Sequence, residues 1–191
     1  MTKEIAKIVA TILNPLVILS LVPFLLVYKI SQNFDFSIYW EIISLFFLGA
    51  FSVFVVVAVE MKYFSNFDVS NRKQRPALFS AGLLVCATYI IAIYLLNGPK
   101  VLMIASLGLI LGLWIAEAIN AKLKISMHAA AITGFACLLV LIYGYKFIIL
   151  FLLVPLVAWA RIKTRNHSLS QTIAGAVFAL LLTLVIYIIF K

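Results

Sequence analysis

The chain of 191 residues is 66% hydrophobic and only 11% charged. A water-soluble protein of this size has too little interior to bury so much apolar surface, so the composition excludes a soluble globular domain. A lipid bilayer can accept that surface. We therefore expect the bilayer, and no nucleic acid, to be the partner of this chain, whose formal net charge is +9. The expected location is an integral position in the cell (inner) membrane.

Seven apolar stretches follow one another and account for most of the chain. In order, they are approximately Ile5–Ile30, Ile38–Glu60, Ala77–Leu96, Val101–Ile119, His128–Tyr143, Phe147–Ala160 and Thr172–Phe190. A helix of roughly 20 apolar residues crosses the hydrocarbon core and satisfies its own backbone hydrogen bonds. The stretches are too long, and alternate too little, for the strands of a membrane barrel. Because the sixth is short and contains Pro155, the sequence predicts an all-α polytopic transmembrane bundle of six or seven spans, with residues 1–191 as a single domain.

The first stretch differs from the others because it contains helix-breaking residues. Asn14, Pro15 and Pro23 interrupt it, which predicts a kink or a segment lying partly across the bundle. It is longer than the apolar region of a removable signal peptide, and no small-residue cleavage pattern follows it. We therefore expect this stretch to remain part of the protein.

Basic residues are distributed unequally between the two ends of the predicted spans. If successive spans alternate in direction, the N-terminus shares one face with three loops, Lys62–Pro76, Asn120–Met127 and Arg161–Gln171. The opposite face holds only Lys29, Lys100, Lys146 and Lys191. The positive-inside rule explains this bias by a cytoplasmic basic face. An anion-binding site built from the three loops explains it as well.

The first basic loop contains Arg72, Lys73 and Arg75 ahead of Pro76. Arg72 and Arg75 are three residues apart, so on a helical turn they point the same way. Paired guanidinium groups suit bidentate binding of phosphate oxygens. The alternative is an anchor for anionic lipid at the membrane edge, with Pro76 opening the next helix.

The second and third basic loops hold both histidines of the chain. Ser126 is predicted to cap the helix that follows it, which places His128 in a first turn whose backbone N–H groups attract anions. His167 lies in the third loop, near Arg161. Each histidine is therefore expected at a helix entrance on the basic face, either in a phosphate site or as an ordinary interfacial residue.

Taken in order, the three loops carry a set of motifs. They are Arg75-Pro76, then Ser126-Met127-His128, then Arg161 followed by His167 after five intervening residues, with Ala174 and Gly175 beyond. The set resembles that of the integral-membrane phosphatidic acid phosphatase type 2 superfamily. The resemblance covers roughly Lys62 to Gly175 and implies a phosphatase-like core at about residues 62–190.

The resemblance implies a lipid phosphate phosphatase that needs no metal and no other cofactor. His167 would attack phosphorus to form a phosphohistidine, Gln171 would orient His167, and His128 would protonate the leaving oxygen. The residues implied in phosphate binding are Arg72, Lys73, Arg75, Ser126 and Arg161. The implied substrate is a phosphomonoester or a polyprenyl diphosphate whose chain stays in the lipid.

Two positions depart from the family pattern and define the main alternative. Asp68 stands where the family usually has Lys, and Gln171 stands where it usually has Asp. These departures favour a protein that binds a lipid phosphate without hydrolysing it. A transporter is a third possibility, but it requires polar residues deep in the spans, and these are few. The family mostly works on the outer leaflet, whereas the charge bias predicts a cytoplasmic face.

Overall fold

The computed structural model describes residues 2–190, which form helices and their connections without any strand. The α-helices of these residues are α1 (Thr2–Ile12), α2 (Pro15–Leu19), α3 (Val22–Ser31), α4 (Phe34–Glu60), α5 (Arg75–Leu95), α6 (Lys100–Asn120), α7 (Met127–Tyr143), α8 (Leu153–Lys163) and α9 (Leu169–Phe190). Two 3-10 segments, Arg72–Gln74 and Tyr145–Leu152, precede α5 and α8. The all-helical prediction is confirmed. Lys191, assigned above to the less basic face, lies outside the described residues.

Five helical stretches among residues 2–190 are long and apolar enough to cross a membrane. They are Phe34–Glu60, Arg72–Leu95, Lys100–Asn120, Tyr145–Lys163 and Leu169–Phe190. The pair Thr2–Leu19 and Val22–Ser31, bent by 46°, counts as a sixth if it forms one span. Helix α7 is apolar but has only 17 residues. The chain is therefore compatible with an integral membrane protein that has five or six candidate spans.

The first apolar stretch is interrupted where the sequence predicted. The Asn14 side chain caps α2 by accepting a hydrogen bond of 2.9 Å from the Leu16 N–H, and Pro15 is the first residue of that helix. A second break separates α2 from α3, which has Pro23 as its second residue. Both prolines thus stand at helix starts, where their missing N–H leaves no hydrogen bond unmade.

The helices extend further into the predicted basic loops than hydropathy suggested. Arg161 lies in the last turn of α8, and Gln171 lies in the first turn of α9. Arg75 and Pro76 begin α5. The end of a helix is set by its backbone hydrogen bonds and caps. Helical hydrogen bonds can continue for several residues beyond the last residue of the apolar pattern.

The described residues form two compact units. The terminal unit comprises the residues up to Val22 together with those from Leu123 onward, and the central unit comprises Pro23–Lys122. The terminal unit contains α1, α2, α7, α8 and α9, and the central unit contains α4, α5, α6 and nearly all of α3. Of the candidate residues, Ser126, His128, Arg161, His167 and Gln171 belong to the terminal unit, whereas Arg72, Lys73 and Arg75 belong to the central unit.

Small residues allow close helix packing in the terminal unit. Helix α7 packs along α9 and also contacts α2 and α8, while α1 packs on α8. Ala6 and Ala10 of α1 pack against Ala160 of α8. Gly175 of α9 lies so close to the backbone of Ser126 that a Cβ atom would overlap the Ser126 carbonyl oxygen. Such contacts are typical of membrane helices, because lipid offers no hydrophobic drive to press the helices together.

Hydrogen bonds between helices satisfy polar groups in the central unit, where α5 packs against both α4 and α6. Ser44 of α4 shares a hydrogen bond of 2.6 Å with the Tyr89 hydroxyl of α5. The Phe24 N–H in the first turn of α3 donates to the Glu41 carboxylate of α4 at 2.9 Å. First-turn N–H groups have no partner within their own helix, so in an apolar segment a side chain must supply one.

Candidate functional site

Helix α7 begins at a buried serine in the terminal unit. Ser126 is the N-cap of α7, as predicted, and its hydroxyl accepts a hydrogen bond of 3.3 Å from the Ala129 N–H. Its own N–H donates to the Gln171 carbonyl at 3.0 Å. The start of α7 is thereby joined to the start of α9. His128 is buried in the first turn of α7, two residues after this cap.

His167 is held by Gln171 within the turn that leads into α9. Its Nδ1 lies 3.0 Å from Gln171 Oε1, and the residue is only 8% exposed. The same Oε1 accepts a hydrogen bond of 3.2 Å from the Ser168 N–H, while the Ser168 hydroxyl accepts one of 3.3 Å from the Gln171 N–H. Ser168 and Gln171 therefore form a capping box, in which each side chain satisfies the other residue's backbone N–H.

This capping box fixes the tautomer of His167. A backbone N–H can only donate, so the Gln171 atom facing Ser168 must be the carbonyl oxygen and not the amide nitrogen. That oxygen can only accept, so His167 Nδ1 must carry the proton. In a neutral imidazole, Nε2 then carries the lone pair. A histidine in this state can act as a nucleophile through Nε2.

Arg161 anchors the turn that carries His167. Its carbonyl accepts hydrogen bonds from the N–H groups of Asn166 and His167, at 3.1 and 3.3 Å. Lys124 Nζ donates to the Asn166 carbonyl at 3.1 Å. Arg161 itself is only 3% exposed. A buried guanidinium carries its positive charge in a place where water screens it little, and this makes Arg161 a candidate for binding an anion.

In the central unit, Arg72 and Arg75 both reach the C-terminal end of α6. Arg72 Nη1 donates to the Lys122 carbonyl at a long 3.5 Å, and Arg75 Nη1 donates to Asn120 Oδ1 at 3.2 Å. Their common direction agrees with the three-residue spacing, but their environments differ. Arg72 is exposed, whereas Arg75 is buried and also donates through Nε to the Val69 carbonyl at 3.4 Å.

Lys73 is exposed beside Arg72, in the 3-10 turn that Asn71 caps by accepting a hydrogen bond of 3.1 Å from the Lys73 N–H. Arg72 and Lys73 are therefore both accessible to a ligand from solvent. Arg75 is built into the packing of its own unit. Of the three candidate cations, it has the clearest structural role.

Two polar residues with a part in these arrangements were not singled out from the sequence. Asn120 supplies a side-chain acceptor for buried Arg75, and Lys124 holds the turn before His167. Asn120 is itself only 3% exposed. An amide in the last position of an apolar helix was the available signal for Asn120. For Lys124 there was none, because a lysine in a basic loop is ordinary.

We expect Asn120→Ala to destabilise the central unit by about 1–3 kcal/mol, since it removes the acceptor from a buried charged donor. Asn120→Asp is the matched control because it keeps an oxygen at the same position and adds an opposite charge. Thermal unfolding of the purified protein in detergent measures both variants. Equal midpoints for Asn120→Ala and the unchanged protein would show that the Arg75–Asn120 bond contributes nothing to stability.

Among residues 2–190, no three His, Cys, Asp or Glu side chains come close enough together to hold a metal ion. Comparisons with protein-family models, curated protein sequences and solved structures gave no match. The relation to the phosphatidic acid phosphatase type 2 superfamily therefore stays a prediction that rests on the motifs of this chain.

Proposed function

We propose that the protein is a membrane-embedded, metal-independent lipid phosphate phosphatase of the type 2 kind, acting through a phosphohistidine on His167. The observation that supports this most directly is the bond from His167 Nδ1 to Gln171 Oε1, because it places the proton on Nδ1 and the lone pair on Nε2, the nitrogen that would attack. The proposal includes a bundle of six or seven spans in the cell membrane. Helix α7, together with the bent first pair, would bring the five longer spans to seven.

In the proposed reaction, His167 Nε2 attacks the phosphorus while the bond from phosphorus to the leaving oxygen breaks. His128 gives a proton to that oxygen and then accepts one from the water that hydrolyses the phosphohistidine. Inorganic phosphate and the dephosphorylated lipid leave, and both histidines return to their starting states. Gln171 holds the Nδ1 proton throughout and supports the positive charge that develops on the imidazole.

Arg161, Ser126 and the first-turn N–H groups of α7 are proposed to bind the nonbridging phosphate oxygens. Arg161 supplies a buried positive charge, and Ser126 stands where backbone N–H groups attract anions. The proposal also includes three phosphate ligands that rest on the motif resemblance alone, namely Arg72, Lys73 and Arg75. The substrate would be a lipid phosphomonoester or a polyprenyl diphosphate, because its apolar chain can stay in the bilayer beside these membrane-spanning helices.

The test is release of inorganic phosphate by the purified protein in detergent, measured against a panel of lipid phosphates and polyprenyl diphosphates. We expect release from at least one substrate, with a protein-bound phosphate that is stable to base and labile to acid after rapid quenching. Failure to release phosphate from any member of the panel would contradict the proposed enzyme.

The second candidate function is binding of a lipid phosphate without turnover. The uncharged side chain of Gln171 favours it, because an amide supports the developing imidazolium less than a carboxylate does. Saturable binding of a lipid phosphate, with no phosphate released, would identify this function. Asp68, which replaces the usual lysine of the first motif, points the same way.

We expect Gln171→Glu to raise the rate of phosphate release at least about tenfold, because a carboxylate orients a catalytic histidine and stabilises its positive charge better than an amide does. Glutamate keeps an oxygen that can accept the two hydrogen bonds made to Gln171 Oε1, from His167 Nδ1 and from the Ser168 N–H, and it adds a negative charge beside Nδ1. Gln171→Leu removes both bonds, so we expect slower release and a helix start weakened by about 1 kcal/mol. Initial rates and thermal midpoints measure these effects. Equal rates for Gln171→Glu and Gln171→Leu would contradict the assigned role.

A further inference from the structure

An apolar groove lies between α8 and α9 in the terminal unit, apart from the candidate catalytic residues. Its volume is about 970 Å³, at the upper end of the range of roughly 300–1,000 Å³ typical of small-molecule sites. Trp159 of α8 and Ile173 and Val177 of α9 are among its apolar lining, and all three are substantially exposed. Ser126, His128, Arg161, His167 and Gln171 do not line it.

The groove is basic at one end only. Lys3, Lys163 and Arg165 line it, and no Asp or Glu of residues 2–190 does. Lys163 is the last residue of α8, and Arg165 lies in the turn between α8 and α9, so these cations stand where α8 ends and α9 begins. Their side chains make no hydrogen bond or ion pair with any of residues 2–190. The carboxylate next to Lys3 in the sequence, Glu4, is paired with Lys7 at 3.2 Å.

The length of the groove matches one leaflet of a bilayer. It follows α8 from Val154 to Lys163, about 14 Å, and α9 from Leu169 to Val177, about 12 Å. Half of the hydrocarbon core is about 15 Å deep. A lipid chain that begins at the basic end would therefore run along the apolar walls to near the middle of the membrane.

We propose that this groove binds one anionic glycerophospholipid, with its phosphate at Lys3, Lys163 and Arg165 and an acyl chain along Trp159, Ile173 and Val177. A basic cluster at the end of an apolar pocket that lies near the membrane surface favours acidic headgroups. Each added cation there raises the affinity about fivefold. The lipid is a bound component of the fold and not a substrate. The inference is independent of the proposed phosphatase.

The test uses the full-length protein in a neutral detergent with phosphatidylglycerol that carries a photoactivatable group in its acyl chain. After illumination, peptide mass mapping locates the labelled residues. We expect labelling in α8 and α9 along the groove, and competition by unlabelled phosphatidylglycerol but not by phosphatidylcholine. Equal competition by the two lipids would overturn the assigned headgroup. Crosslinks confined to other helices would overturn the site. Occupation of the groove by a second copy of the chain would overturn it as well.

Matched variants separate the groove from general surface charge. We expect Lys163→Gln with Arg165→Gln to weaken labelling about 25-fold at low salt, since two cations are lost. The control is Lys62→Gln with Lys122→Gln, which also removes two exposed cations. The control also matches the backbone conformation at one of the two positions, because Lys62 has a φ of 61° and Arg165 has a φ of 60°. An equal loss in both double variants would overturn the proposal.

A second pair tests the apolar walls. Val177→Trp fills the groove and is expected to reduce labelling at least about fivefold, whereas Leu181→Trp, one turn further along α9, leaves the groove open. Leu181 is 58% exposed and does not line the groove. Unchanged labelling in Val177→Trp, with the protein still folded by circular dichroism, would show that no acyl chain lies there.

Discussion

Replacement of His167 by alanine is expected to reduce phosphate release from a lipid phosphate at least about 10³-fold, as is usual when a covalent nucleophile is removed. The reason is that Nε2 of His167 is the proposed bond-forming atom, since the bond from Nδ1 to Gln171 Oε1 places the proton on Nδ1 and the lone pair on Nε2. The covalent phosphate trapped in the unchanged protein should disappear in the variant. Malachite-green detection of phosphate and rapid-quench labelling measure the two effects.

The matched control is Ser170→Ala, three residues further along and exposed at the start of α9. Among residues 2–190 its hydroxyl bonds only to the Ser168 hydroxyl, at 2.9 Å, so we expect release within a few-fold of the unchanged rate. Release by His167→Ala at the rate of the unchanged protein would eliminate this nucleophile. A His128→Ala variant that still accumulates the phosphohistidine, but turns over slowly, would support separate roles for the two histidines.

Gly175→Ala is expected to destabilise the protein by about 3 kcal/mol, the cost typical of severe overpacking. The added Cβ would overlap the Ser126 carbonyl oxygen and come within 3.2 Å of the Ser126 carbonyl carbon and nitrogen. These are backbone atoms and cannot rotate away as a side chain can. Because Ser126 also caps α7 and bonds to the Gln171 carbonyl, the displacement should reduce phosphate release as well.

Gly134→Ala on α7 is the control for this prediction. Its Cβ would lie 3.4 Å from Thr183 Oγ1 and 3.8 Å from the Ala179 Cβ, which is ordinary contact. The gain in helix propensity makes it neutral or stabilising by about 0.5–1 kcal/mol. The midpoint of thermal unfolding in detergent should therefore fall by roughly 10 °C for Gly175→Ala only. Equal midpoints for the two variants would contradict the close packing of α9 on the start of α7.

Local rules that can be applied to a sequence account for several details of the site. Ser126 caps α7 as its residue type and position predicted, and the apolar stretches became helices. The sequence Ser168-Leu169-Ser170-Gln171 also has the spacing of a capping box. This spacing is the sequence signal of the capping box. It explains Gln171 as a residue that serves the helix start and the imidazole together, because one oxygen accepts both hydrogen bonds.

Composition thus determined, from the sequence alone, that the chain is all-helical and suited to a membrane. Helix-terminal chemistry identified polar residues that lie at the ends of its helices. These properties depend on neighbours a few positions apart. Tertiary structure decided which of the cations are buried, that Asn120 is an acceptor for Arg75, and that Gly175 meets the backbone of Ser126. It also decided that Lys3, Lys163 and Arg165 line one apolar groove. Those facts depend on how helices distant in the sequence pack, because neither hydropathy nor charge specifies which faces of two apolar helices will meet.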